Sequence, residues 1–173
     1  MTAGQPAGAV PWEQLAADET TVARYEAKVY RGPGPTPCHW WLGAISDSGH
    51  GKLRAGSRPA GTSRVVSAHV LGFVVHHGAA ALRNGAVVRH TCDEPSCQNP
   101  GHWLAGERLQ NVVDYAARRG LTGHALADVR GAAGRAVAVR DAILSAEPGA
   151  EPAAIAAALA AGHPSGEHQD TLW

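Results

Sequence analysis

The sequence predicts an α+β domain: a small antiparallel sheet, helices on its flanks and a helical C-terminal extension. Short Gly-bounded apolar runs in the first half of the chain mark antiparallel strands. Two segments, beginning near Ala68 and Glu107, repeat apolar residues at helical spacing. Residues 121–173 are rich in Ala and continue in helical register. At 173 residues the chain holds one compact domain with appended structure, and is too short for two full-sized ones.

The elements follow in order. Residues 1–23 read as a flexible leader, although a short helix over 18–30, through Val22, Tyr25 and Val29, begins inside it. RGPGPTP (31–37) cannot be helical and connects to a strand over Cys38–Ala44 that contains Trp40 and Trp41. The turn DSGHG (47–51) leads to KLRAG, and SRVVSA (63–68) forms the next strand. Val70, Phe73, Val74 and His77 then lie at i, i+3, i+4 and i+7, and Gly78 ends that helix. His76 and His77 suit its C-terminus through the helix dipole. Asn84-Gly85 turns the chain into a strand over Ala86–His90. After the loop TCDEPSCQNPG (91–101), a helix over Glu107–Arg119 places Leu109, Val112, Val113 and Ala116 on one face, with Gly120 as its stop. Helices over Leu126–Leu144 and Ala153–Ala161 follow, separated by AEPGAEP, and 163–173 fray.

Fifteen basic and fifteen acidic side chains balance to zero, which excludes a uniformly cationic nucleic-acid binder. The balance conceals a gradient. Residues 24–119 carry twelve basic and six acidic side chains, net +6, between two flanks of −3 each. A cationic middle suits a polyanion partner, and ordinary scatter would produce the same excess. No apolar run is long enough to cross a bilayer, and the N-terminal residues lack the pattern of a secretory signal. An odd cysteine count, three, argues against a disulfide framework, so a cytoplasmic chain with reduced thiols is the expectation.

The chemistry concentrates in residues 90–102, which read His90-x-Cys92-x4-Cys97-x4-His102. Zinc takes four tetrahedral ligands from thiolate sulfur and imidazole nitrogen. Cys38, Cys92, Cys97 and His102 supply such a set and use every cysteine in the chain. A structural Zn2+ there would fasten a loop with few apolar side chains to bury. A Cys92–Cys97 disulfide and three plain buried thiols are the competing readings. His90 ends an apolar strand where the loop begins. An imidazole in that place can take a proton from water near neutral pH, as a general base must; a merely structural histidine is the alternative.

The segment VVRHTCDEPSCQNPGHWLAG, followed by LQNVVDYAARRG, resembles the HNH endonucleases of the phage and homing-type branch. Members of that branch read VRH-x-CDNP-x-CxNP-x-HLxxGT, then an Asn-x-x-Asp helix and an Arg-Gly end. The corresponding residues are Val88-Arg89-His90, Cys92-Asp93-Glu94-Pro95, Cys97-Gln98-Asn99-Pro100, His102-Trp103-Leu104, Gly106, Asn111 and Asp114. Upstream, Tyr25 to Val29, Cys38 with Trp41 and Gly43, the Gly49-His50-Gly51 turn and Ala68-His69-Val70 fall where that branch has similar residues. The resemblance covers about residues 24–120, leaving the leader and the extension over 121–173 without a function from it.

The resemblance implies a ββα-metal (His-Me finger) motif and hydrolysis of double-stranded DNA with a catalytic divalent ion, Mg2+ or Mn2+. It implies His90 as the base that activates water, Asn99 as the residue that shapes the loop, and Asn111 on the helix facing the same region. Arg89 and Arg64 are the expected phosphate contacts. Many members place an Asp before the base histidine as a metal ligand, and this chain has Arg89. The catalytic ion would then depend on groups such as His69, Asn99 or Asp93. His102 can complete the zinc set or hold the catalytic ion. Two other functions compete: a zinc-stabilised DNA-binding module that does not cut, and a zinc-stapled protein-interaction domain. Residues 151–162 could form half of a helix-turn-helix but carry no Lys or Arg, so a packing helix or a homodimer through the C-terminal helices is expected.

Overall fold

The computed structural model describes residues 10–118 and 125–163. Seven strands and six helices follow in chain order among these residues: α1 Trp12–Ala17, α2 Glu19–Glu26, β1 Val29–Tyr30, β2 Trp40–Trp41, β3 Ala44–Ile45, β4 Gly51–Ala55, β5 Arg64–Ser67, α3 Ala68–His77, β6 Val87–His90, β7 Trp103–Gly106, α4 Arg108–Arg118, α5 Gly131–Ser145 and α6 Glu151–Ala160. The class is α+β with small antiparallel sheets. β3, β4 and β5 form one sheet in that order, while β1–β2 and β6–β7 are separate antiparallel pairs. None of the described helices is long and apolar enough to cross a membrane.

Trp40 and Trp41 explain how the pieces are joined. Successive strand residues point to opposite faces, and the two rings enter different cores. Trp41 packs with Leu15, Tyr25, Leu53, Val66 and Leu71. Trp40 packs with Cys38, Cys97, Val139, Ile143 and Ile155. The expected strand over Cys38–Ala44 is accordingly interrupted, with β2 and β3 separated by Leu42-Gly43. A third cluster, Phe73, Val88 and Trp103, lies between α3 and the β6–β7 pair.

Two further expectations need correction, one for the leader and one for the C-terminal helices. The leader is folded from Val10 onward: Leu15 on α1 is fully buried, and Asp18 caps α2 by accepting from the Thr20 backbone N–H at 3.1 Å. A six-residue helix with one large apolar anchor leaves little periodicity to read. Replacing Leu15 with Ala should cost about 2–5 kcal/mol in urea unfolding; a change under roughly 0.5 kcal/mol would mean that α1 is not integral to the fold.

The apolar stripe of α4 faces solvent, with Leu109 70% and Val112 54% exposed. Its opposite, charged side is the docked one, through Asp114 to Arg89 and Arg118 to Asp93. The proposed stop at Gly120 lies outside the described residues. Finally, the C-terminal helices are not a separate appendage. Ala136, Val139 and Ile143 of α5 and Ile155 of α6 are buried, the last three against Trp40 and Cys97, so these apolar positions pack within the chain. The helix expected from Leu126 begins at Gly131, after a 3-10 turn over Ala125–Ala127. Of the frayed end expected over 163–173, only His163 falls among the described residues.

Candidate functional site

Two clusters of ligating side chains adjoin the loop between β6 and β7. In the first, Cys38, Cys92, Cys97 and His102 bring one donor atom each to within 4.8 Å of one another. Cys38 lies just before β2, Cys92 and Cys97 lie in the loop after β6, and His102 closes a 3-10 turn before β7. Backbone pairing holds the parts in register: the Gln98 N–H donates to the His39 carbonyl at 2.7 Å and the Thr91 N–H to the His102 carbonyl at 2.8 Å. Asn99 adds a side-chain tie. Its amide donates to the Pro37 carbonyl at 2.7 Å, and its oxygen accepts from the Gly101 N–H at 2.9 Å. Asn99 therefore shapes the loop and anchors the strand carrying Cys38.

The donor set fits a tetrahedral ion. His102 Nδ1 lies 3.4 Å from Cys97 Sγ and 3.8 Å from Cys38 Sγ. Zinc–ligand bonds of about 2.3 Å to sulfur and 2.0–2.1 Å to nitrogen place such atoms roughly 3.6 Å apart. Bonds from Cys38 and Cys97 pull the Cys92 thiol far below its usual range, while the same bonding network and burial push Cys38 up. No disulfide joins the three.

The second cluster joins His50, His69 and His90, each offering one ring nitrogen within 4.8 Å of the others. They come from three elements: the turn before β4, the first turn of α3 and the end of β6. Ring centroids are 4.7 Å apart for His69 and His90 and 4.9 Å for His50 and His69. His90 Nε2 donates to the Cys97 carbonyl at 3.0 Å, which leaves its Nδ1 as the nitrogen with a free lone pair. Trp103 Nε1 donates to the same carbonyl at 3.3 Å, so the cysteine loop fixes the tautomer of His90 directly. His69 is buried, and its Nδ1 has no hydrogen-bond partner among the described residues. Burial lowers all three imidazoles, His50 to about 4 and His69 well below the usual value. They are neutral at pH 7, the form that ligates metal or accepts a proton.

His50 is the member that sequence reading missed, since it looks like one polar residue of a glycine turn. The flanking glycines carry the signal. Gly49 has φ +82° and a Cβ there would meet the Ala132 carbonyl at 2.7 Å. A Cβ on Gly51 would meet the Trp41 ring at 2.6 Å. The turn is pressed between α5 and a core ring, which aims His50 at the other two imidazoles.

Two clefts open on this cluster. One, of about 530 Å3, is lined by His50, His90, Asp93, Asn111 and Tyr115 among others. The other, of about 350 Å3, lies on the far side of His50 and reaches His69. The remaining expected site residues separate accordingly. Asn111 is exposed on α4 and faces the larger cleft. Arg89 is ion-paired with Asp114 through Nη1, while its buried Nε has no hydrogen-bond partner among the described residues. Arg64 is exposed on β5 and donates to the Ser63 carbonyl at 2.8 Å. Asp93 pairs with Arg118 at 2.7 Å, and the side chain of Asn99 is tied to Pro37 and Gly101. Of the three groups expected to serve a catalytic ion, His69 alone belongs to the second cluster.

No family model matches the chain, and no solved structure matches it. The chain is 29% identical over 92 residues to Protein 2.8 of Escherichia phage T7. That stretch is 53% of this chain and 58% of the phage protein, so the chain spans under two thirds of that relative's length.

Proposed function

We propose that the chain is a metal-dependent DNA endonuclease of the HNH type, acting in the cytoplasm of a bacterial cell. The observation that carries this reading is the convergence of His50, His69 and His90 where two clefts meet at His50, with His90 held by the loop that bears the cysteine set. The resemblance of residues 88–114 to HNH enzymes supports it, as does the similarity to a phage protein. β6, β7 and α4 follow as two antiparallel strands and a helix, the order of a ββα-metal motif.

The division of labour follows from the contacts. Cys38, Cys92, Cys97 and His102 would hold a structural zinc ion, which assigns His102 to the loop. His50 and His69 would hold the catalytic ion, and their nitrogen donors favour Mn2+ over the oxygen-seeking Mg2+. Such an ion supplies Lewis-acid stabilisation of charge on the phosphate. His90 accepts the proton of the attacking water at Nδ1, with Nε2–H fixed on the Cys97 carbonyl. Asn99 preserves the loop geometry that aims it. Asn111 stands on the wall of the larger cleft, within reach of the DNA backbone.

Nicking of supercoiled plasmid tests the reading. Activity is expected with Mn2+, with less or none in EDTA, and a loss of about 10²–10⁴-fold in His90→Ala. Binding of DNA without nicking would leave a zinc-stabilised DNA-binding module. The exposed Leu109, Val112, Val113 and Tyr115 on α4 favour a protein-interaction domain as the second reading; absence of both cutting and DNA retardation would select it.

A further inference from the structure

The smaller cleft shares His50 and His69 with the chemistry above, but its other lining residues have no role there. It is lined by Trp12, Ser48, His50, Lys52, Ser67 and His69, with the start of β6 as its floor. Its volume, about 350 Å3, lies within the roughly 300–1,000 Å3 of small-ligand sites. An indole, two hydroxyls and an ammonium therefore share one wall with two of the clustered imidazoles.

Lys52 is the distinctive member. Many of the arginines nearby are tied to carboxylates: Arg89 to Asp114, Arg118 to Asp93, Arg135 to Glu94. Lys52 Nζ donates to Ser67 Oγ at 3.0 Å across the β4–β5 pair, and no carboxylate pairs with it among the described residues. Its charge is felt by both His50 and His69. A half-buried ammonium on a neutral hydroxyl retains donors for an anion. Trp12 reaches the same cleft from α1 while the body of its side chain packs on the Trp41 core.

We propose that this cleft is a nucleotide subsite beside the reacting phosphate, in which Lys52 and Ser67 bind the neighbouring phosphate and the Trp12 indole stacks on its base. The proposal rests on the nuclease reading for its place in the reaction, and its binding chemistry can be tested apart from cutting. Sequence-tolerant stacking on an aromatic side chain, together with a cation on the backbone, is a general mode of binding an unpaired nucleotide. It would give the first folded helix of the chain a task at the site.

The test is fluorescence anisotropy of a labelled DNA duplex that ends in a single-stranded overhang, with full-length His90→Ala protein carrying its metal, titrated at several salt concentrations. Lys52→Gln in that background should weaken binding and lower the slope of log K against log salt by about 0.7–0.9, one phosphate contact, whereas Lys52→Arg should restore most of both. Trp12→Leu should weaken binding about 10-fold with the slope unchanged. Trp12 also packs on the core, so matched thermal melts accompany that variant, and the Lys52 pair decides if it does not fold. A wild-type protein that fails to nick, while Lys52→Gln still loses the slope, sinks the nuclease reading and sustains the subsite. Nicking by the wild type with affinity and slope unchanged in Lys52→Gln overturns the subsite and leaves the nuclease.

Discussion

Removing the proposed zinc should cost the protein most of its stability. Metal bound by thiolates and imidazole contributes directly to folding free energy, about 10–16 kcal/mol in small zinc modules, against a typical total of roughly 5–15 kcal/mol for a domain. Here the two helices docked on the loop retain part of the structure, so we expect a loss of at least about 5 kcal/mol. That corresponds to a fall in Tm of some 10–20 °C for a domain of this size. The physical reason is local. Cys92 and Cys97 flank Asp93-Glu94-Pro95-Ser96, a segment without a large apolar side chain, and Cys38 reaches it from a Pro-rich connection. Without the ion, three thiols and an imidazole stay packed together and lose the bonds that offset their crowding. Thermal unfolding followed by circular dichroism, before and after chelation, reads the effect; Cys97→Ser should reproduce it. Purified protein with under about half an equivalent of zinc, or an unchanged melt after chelation, would remove the metal from the account.

Arg135→Ala is expected to destabilise the fold by about 3–5 kcal/mol, more than an exposed ion pair could. Glu94 sits inside the cysteine loop and is only 4% exposed. Burial pushes its carboxyl up to about 7, against the opposing pull of Arg135. The guanidinium lies 2.5 Å from Glu94 and 3.4 Å from Asp128, and Asp128 in turn holds Arg130, which donates to the Ala158 carbonyl at 2.8 Å. Cutting the arginine leaves Glu94 buried without its partner, so its carboxyl must take up a proton and forfeit the charge-assisted bonds. Removing both charges, as Glu94→Gln with Arg135→Met, should recover most of the loss, because an uncharged pair of similar size leaves no ion unpaired. Urea unfolding of the three variants gives the comparison. If Arg135→Ala matched the wild type within roughly 0.5 kcal/mol, α5 would not be clamped to the loop by this pair.

The legible parts of the sequence were those where one residue type has one use. Val70, Phe73 and Val74 marked α3, and the Cys-x4-Cys-x4-His run marked the first cluster, because neither pattern needs distant information. The illegible parts depended on contacts far along the chain. Arg89 looks available for phosphate until Asp114, a full strand and helix later, is found beside it. The Leu109 stripe obeys helical periodicity, yet periodicity alone does not say which side of α4 is docked, and here ion pairs dock the other side. His50 depends on tertiary packing in the same way: two glycines around a histidine look like a turn until α5 and Trp41 are seen to squeeze it. In the Ala-rich end, Val139, Ile143 and Ile155 carried no chemical signal, and their meaning lay wholly in Trp40 and Cys97.

The partnership of Trp40 and Cys97 with Ile155 sets the order in which the protein can be completed. Contacts across such sequence separations form late and slowly. On a ribosome adding about 5–20 residues per second, the cysteines emerge several seconds before the helices that wall them in. A nascent chain therefore passes through a stage with bare thiols, open to oxidants and to whichever thiophilic ion arrives first. Its yield in a cell should depend on metal supply during synthesis more than on metal added to the finished product.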